Sequence, residues 1–314
     1  MKRSVSMSHK SLWACLNLAI LGFSAALWVF PIGESIAQEP EAIATCARPE
    51  KVRGELVQGG LLLMQGEPGI KVVVTASHRA KETPIPVAQD GSFLLPFHRD
   101  EAREVSLSVK KAGCSPVGLS FTIEPQAYQI QRIDGLPPKK VDLPPEIRAK
   151  RAAELRRIGA ARRAFSTDGG WRELLSWPIE NARVSSVYGS QRILNGKPRS
   201  PHSGVDLAAP TGTKIKSPAD GVVRLAATDF YLEGGIVIID HGYYLNSTMI
   251  HLSEILVEEG QQIKQGDVIG AVGATGRATG PHLHWSLAIG RLRVDPMLVL
   301  GPYPLAKETN ALSP

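Results

Sequence analysis

The sequence predicts an all-β protein in two parts joined by one helix. Three observations carry that expectation. Short apolar runs with period two recur on both sides of the chain's middle. Gly and Pro, 30 and 23 residues, punctuate those runs as turns. Apart from an apolar start, only one stretch, rich in Ala, Glu, Leu and Arg, has helical composition.

The chain has 314 residues, room for two domains with real cores. At 43% hydrophobic and 21% charged it has a globular composition, not that of a disordered chain. The net charge of +6 is mildly basic and suits an anionic partner without requiring one.

Residues 1–37 read as an export signal. Lys2, Arg3 and Lys10 form a positive start, residues 12–30 are largely apolar, and "SIAQE" offers Ala37 as the last residue before a cut. The mature chain would begin at Gln38; the rival reading is a retained membrane anchor. Cys15 opens the apolar run instead of following it, which argues against lipidation.

Residues 45–133 predict a small β-sandwich-like domain. "IKVVVTA" puts Ile70, Val72 and Val74 on one face, and "EVSLSVK" does the same for Val105, Leu107 and Val109. Asp90-Gly91 reads as a turn between runs. His78 and His98 form no convincing ligand pair. Cys46 and Cys114 favour a disulfide, given export and an even count in the mature chain; two buried thiols are the alternative. Neither has a cysteine neighbour at zinc-ligand spacing.

Residues 134–176 contain "LPPKKVDLPPEIRAKRAAELRRIGAARRAF". The proline-rich half predicts a stiff linker, and the stretch after Pro145 a helix. Its excess of Arg and Lys reads first as a solvated linker helix, and second as a contact for anionic glycan or lipid.

Residues 177–303 return to short strands and Gly-rich turns, with 304–314 as a tail. Five of the eight histidines fall here: His202, His241, His251, His282 and His284. In "HLHW", alternation sends His282 and His284 to one side of a strand and Leu283 to the other. Two imidazoles side by side need a partner when buried, and a metal ion is one that satisfies both. With "HSGVD", His202, Asp206 and one histidine of the pair would make a His-Asp-His set. The other histidine of the pair and His251 would remain for proton transfer. Nitrogen and carboxylate ligands without sulfur suit a catalytic Zn²⁺ better than a structural one. His241 in "DHG" reads as a turn residue. "GAVGATGRATG" looks like a phosphate loop but lacks a following helix or Lys, so it reads as a tight loop feeding the HxH strand. Arg192 and Arg277 could meet an acidic substrate or simply pair locally.

The motifs "HSGVD", "MIHLS" and "HLH" stand in the context "VYGSQR", "SPADGVV", "IIDHG", "GDVIGAVGATGRATGPHLHW" and "DP". Together they make residues 184–296 resemble the catalytic domain of the lysostaphin-type, LytM-like zinc metallopeptidases, which cut peptide cross-links in bacterial peptidoglycan. The resemblance implies a lysostaphin-like antiparallel β-sheet with a groove walled by loops. It implies Zn²⁺ on His202, Asp206 and His284, with His251 and His282 catalytic. Tyr231 in "DFYLEGG" matches a tyrosine of some relatives; it could donate to an oxyanion or only wall the groove. Gly235, where relatives often carry Asn, and Met249, where an aromatic is common, are departures that bear on substrate preference. The β-domain resembles the region preceding this module in some proteobacterial envelope proteins. Peptidoglycan is then the expected partner, a regulatory envelope protein is conceivable, nucleic acid is not expected, the location is periplasmic, and the oligomeric state is not legible. The alternative is a non-enzymatic envelope module of the same fold that activates a separate wall hydrolase. Such modules usually lack a zinc ligand, whereas all five positions stand here.

Overall fold

The computed structural model describes residues 43–77, 82–134 and 145–300. The expected signal (1–37), Cys15, His78, most of the proline-rich linker and the tail (304–314) lie outside the described residues. Among the described residues no helix is long and apolar enough to cross a membrane.

Eight short strands come first: β1 (Glu50–Arg53), β2 (Leu61–Gln65), β3 (Lys71–Ala76), β4 (Thr83–Ile85), β5 (Ser92–Pro96), β6 (Glu104–Lys110), β7 (Val117–Thr122) and β8 (Ile130–Ile133). The first seven form an antiparallel sheet β1-β2-β5 facing an antiparallel sheet β4-β3-β6-β7. The predicted alternation holds. Ile70, Val72, Val74, Val105, Leu107 and Val109 are all buried in one cluster with Leu62, Met64, Phe93 and Leu95 of the facing sheet. Cys46 and Cys114 are bridged across 68 residues of sequence. Reducing this bridge should lower unfolding stability by about 2–4 kcal/mol, because the unfolded chain regains loop entropy. Urea midpoints with and without reductant measure it, and equal midpoints would refute it.

Helix α1 (Arg148–Arg162) follows, then β9 (Arg183–Ser186), β10 (Gln191–Leu194), β11 (Lys197–Pro198), β12 (Val205–Ala208), β13 (Lys214–Lys216), β14 (Gly221–Phe230), β15 (Gly234–Asp240), β16 (Leu245–Ile255), β17 (Gln262–Ile263), β18 (Val268–Val272), β19 (His282–Ile289) and β20 (Leu292–Val294). The main sheet runs β17-β14-β15-β16-β19-β12-β9, with β18 pairing β16 and β13, and β20 pairing β19. One face carries Val237, Ile239, Met249, Leu283, Trp285 and Leu287 into the larger core. By alternation the opposite face carries Ile236, Ile238, Thr248, Ile250, His282, His284 and Ser286. Met249 is therefore fully buried on the core face, away from the histidines.

Across the expected boundary near residue 133 the two parts share packing. Sheet β1-β2-β5 is buried on both sides. Leu62, Met64, Phe93 and Leu95 face the sandwich core, while Leu61, Leu63 and Leu94 enter the core of the main sheet. Strand β8 pairs in parallel with β10. From Ile43 onward the chain clusters as one unit.

Helix α1 also departs from expectation. It is not a solvated linker. Glu154, Ile158 and Ala161, spaced by four and three, share one face of the helix and are buried. Ile158 and Ala161 pack on Leu225, Phe230, Ile236 and Ile238, which is the histidine-bearing face of the sheet. Arg151 donates to both oxygens of Glu233 at 2.6 and 2.8 Å and to Glu154 at 3.1 Å. With only three buried positions among basic neighbours, the apolar stripe is too narrow to read in advance.

Candidate active site

Asp206 in β12 and His284 in β19 sit directly opposite each other, and Ile250 of β16 continues the row. His202 enters from the loop before β12. The glycine between them is required by close approach: a Cβ on Gly204 would collide with the Trp285 carbonyl oxygen. Asp206 Oδ1 lies 3.0 Å from His202 Nε2 and 2.8 Å from His284 Nδ1, and the two nitrogens are 2.9 Å apart. His202 Nδ1 is 2.9 Å from the Val187 carbonyl, which can only accept, so the proton belongs on Nδ1 and the Nε2 lone pair points inward. Burial pushes the His284 imidazole down to about 4, so it is neutral at pH 7. Burial would raise the Asp206 carboxyl, but its interactions with the His202 and His284 imidazoles outweigh it and hold the group well below the usual carboxylate range. Burial likewise lowers His202, and the Asp206 hydrogen bond outweighs it, leaving a net rise. Three electron-rich atoms thus converge on one point. A shared proton serves one of the three contacts, whereas a divalent cation serves all of them. The ligand atoms of these residues lie within 4.8 Å of one another, and the N, N, O set suits a catalytic zinc ion.

His251 and His282 stand beside this cluster with ring centroids 4.8 Å apart. His282 Nε2 is 4.0 Å from Asp206 Oδ1. Each imidazole donates Nδ1–H to a backbone carbonyl at 2.8 Å, His251 to Thr275 and His282 to Gly280, which leaves each Nε2 as the basic atom. The position of His251 is unusual. Strict alternation after Ile250 would send it to the core face. The β15–β16 register instead shifts between Ile236↔Ile250 and Gly235↔Leu252, and His251 takes φ +70°. This bulge turns the imidazole to the histidine face. A left-handed non-glycine residue costs on the order of 1–3 kcal/mol, strain that concentrates at functional sites. The His251 N–H donates to the Glu233 carbonyl at 2.9 Å, so Glu233 holds the bulge by its backbone and α1 by its carboxylate. Gly235 opposite the bulge has no room for a Cβ, which would meet the Leu252 carbonyl, so an Asn there would require the strands to part.

The fold gathers five of the six residues assigned from sequence. Tyr231 is the exception. It lies in the β14–β15 turn, is 37% exposed, and bonds by its backbone N–H to Glu154 at 2.8 Å. Among the described residues its phenol makes no hydrogen bond to the cluster. Arg192 and Arg277 are exposed and pair with no carboxylate among the described residues. The "GAVGATGRATG" segment does feed β19, and its Thr275 carbonyl anchors His251. Glu233, Thr275 and Arg151 went unassigned from sequence, and no spacing singles them out, because two of the anchors act through backbone carbonyls.

His241 is more than a turn residue. It is fully buried, donates Nδ1–H to the Asp220 carbonyl at 3.0 Å, and accepts at Nε2 from Ser247, whose oxygen accepts Trp285 Nε1–H. Burial pushes it down to about 4. His241→Ala should leave buried groups unpaired and cost about 1–3 kcal/mol, with metal content unchanged in the folded fraction. Thermal melting measures this. The unfolded imidazole binds its proton near 6.5, above the folded value, so this group's contribution to stability is full above pH 6.5 and declines as pH falls toward 4. A flat melting temperature over that window would contradict the buried neutral state.

The profile of Peptidase family M23 matches residues 200–296. A crystal structure from Pseudomonas aeruginosa assigned to peptidase M23 is 30% identical, with TM-score 0.59 over 79% of this chain and 96% of that one. The chain belongs to peptidase family M23. Two curated M23-region relatives are similar over shorter spans. Peptidoglycan DD-endopeptidase ShyA of Vibrio cholerae is 39% identical over 123 residues, 38% of this chain and 28% of that protein. DD-carboxypeptidase/endopeptidase Mpg of Neisseria meningitidis is 37% identical over 127 residues, 40% of this chain and 29% of that protein. The M23 chain thus spans less than a third of the length of the curated relatives it matches.

Proposed function

We propose that this protein is an exported, periplasmic zinc endopeptidase that hydrolyses peptide cross-links of peptidoglycan. The observation that carries the reading is the convergence of His202, Asp206 and His284 on one point, with the Nε2 atoms of His251 and His282 presented beside it. The names of the peptidoglycan DD-endopeptidase ShyA and the DD-carboxypeptidase/endopeptidase Mpg support the substrate class. The apolar start with its small-residue cleavage site supports export.

His202, Asp206 and His284 would hold the zinc. Bound there, zinc supplies Lewis-acid polarisation of a carbonyl and lowers the pKa of water toward about 7. The chain's own residues do the rest. His251, fixed in its Nδ1–H tautomer by Thr275, takes or returns a proton at Nε2. His282, fixed in the same tautomer by Gly280, takes up a proton at Nε2 and, once protonated, donates it to developing negative charge from the other side. The Tyr231 phenol, exposed at the edge, is a further candidate donor once a peptide lies in the groove. Digestion of purified sacculi by the zinc-loaded protein, with products identified by mass, tests the reading. New amino and carboxyl ends at cross-links are expected; intact cross-links after prolonged digestion would overturn it.

A further inference from the structure

Because α1 packs on the histidine-bearing face of the sheet, it closes one side of a cavity of about 150 Å³ that reaches His284. Three arginines line this cavity, Arg151 and Arg162 from α1 and Arg293 from β20, against one carboxylate, Glu233. Arg151 and Glu233 satisfy each other. Arg162 offers Nε–H and Nη2–H to a single hydroxyl, that of Thr248, at 3.3 and 3.2 Å. Arg162 and Arg293 have no carboxylate partner among the described residues. Burial pushes Arg162 down to about 9 and Arg293 to about 10, so both stay charged at neutral pH. Two half-buried cations without an anion are costly, and their forked donors match a carboxylate.

We propose that this cavity is a carboxylate-binding subsite, in which Arg162 and Arg293 receive a carboxylate of the peptide whose scissile bond lies beside His284. The proposal rests on the peptidase reading, which decides for a peptide carboxylate over other anions. Two sources share this chemistry: a free terminal carboxylate, or the side-chain carboxylate of a diamino-dicarboxylic residue at the cross-link. The helix would then act as part of the binding wall, with the Arg151–Glu233 pair setting its distance from the His251 bulge.

The test uses the full mature chain loaded with zinc and three forms of a cross-linked stem-peptide dimer. One carries free carboxylates, one is amidated at its terminal carboxylate, and one at the side-chain carboxylate. Amidating the docked group should raise KM by roughly 10–100-fold, the worth of a charge-assisted hydrogen bond. The derivative that shows the effect identifies the source. Arg162→Gln and Arg293→Gln should handle the free and amidated forms alike, while Arg162→Lys retains part of the preference. Calorimetric titration of the free-carboxylate product should show the same loss of affinity in the two Gln variants, with thermal melting reporting their fold. If neither amidation changes KM in the wild type, the proposal is overturned, and that arm needs no variant to fold. It is also overturned if the Gln variants, folded, keep the discrimination. If the wild type cuts none of the three dimers, the peptidase reading fails instead, and calorimetry alone decides the subsite.

Discussion

His202→Ala, Asp206→Ala and His284→Ala should each lose bound zinc and hydrolytic activity together. The three donor atoms lie within 4.8 Å of one another, so removing any one leaves two ligands and a gap in the set. Activity should fall by at least about 10⁴-fold, because water activation and carbonyl polarisation are lost at once. Asp206 is the most sensitive position, since it is the one anionic donor of the set and its Oδ1 contacts both imidazoles. Its removal also leaves two buried nitrogens facing each other at 2.9 Å. Elemental analysis beside sacculus digestion gives both readouts for each variant. Zinc retained in all three variants would sink the assignment. Loss of zinc from His282→Ala with retention in His284→Ala would exchange the roles of the pair.

His251→Ala and His282→Ala should behave differently. Both leave the three candidate ligands in place, so zinc should largely remain. Activity should still drop by about 10²–10⁴-fold, the usual range for a lost general acid or base. Burial lowers the pKa of His251, the Thr275 carbonyl partly opposes this, and the neighbouring His282 lowers it further. The free imidazole therefore persists below the ordinary histidine value of about 6.5. If His251 is the base, kcat/KM should hold steady through mildly acidic pH and fall only as pH drops through that lowered value. An acid limb centred above 6.5, or a profile unchanged in His251→Ala, would exclude it. The bulge adds a second readout. Releasing a strained φ of +70° should make His251→Gly more stable than His251→Ala, with both inactive.

The residues of the candidate site were legible because their chemistry is concentrated in short motifs. Alternation across "HLH" decides that His282 and His284 share a face. The sequence "HSGVD" needs its glycine because β12 lies against the Trp285 backbone. The sandwich strands were readable for the same reason, since one buried face gives a period of two. The runs "LLLM" and "FLLPF" broke that period, and the reason lies in the tertiary structure: the sheet they build is buried on both sides, so consecutive residues serve two cores.

What the sequence by itself determined, then, is the set of groups available: two sheets' worth of alternating strands, a His-Asp-His donor set, and two further histidines. What only the tertiary structure decided is where His251, the basic helix and the arginines point. His251 would face the core by alternation, and a backbone bulge opposite Gly235 turns it to the histidine-bearing face, because register is a property of two paired strands and not of one. The basic helix would face water by composition, and Glu233 with a patch of apolar sheet draws it onto the groove, because a narrow stripe of three buried residues becomes visible only against its complement. The arginines of α1 and β20 lie far apart in the chain and meet only there, because a cavity belongs to the packed elements and to none of them alone.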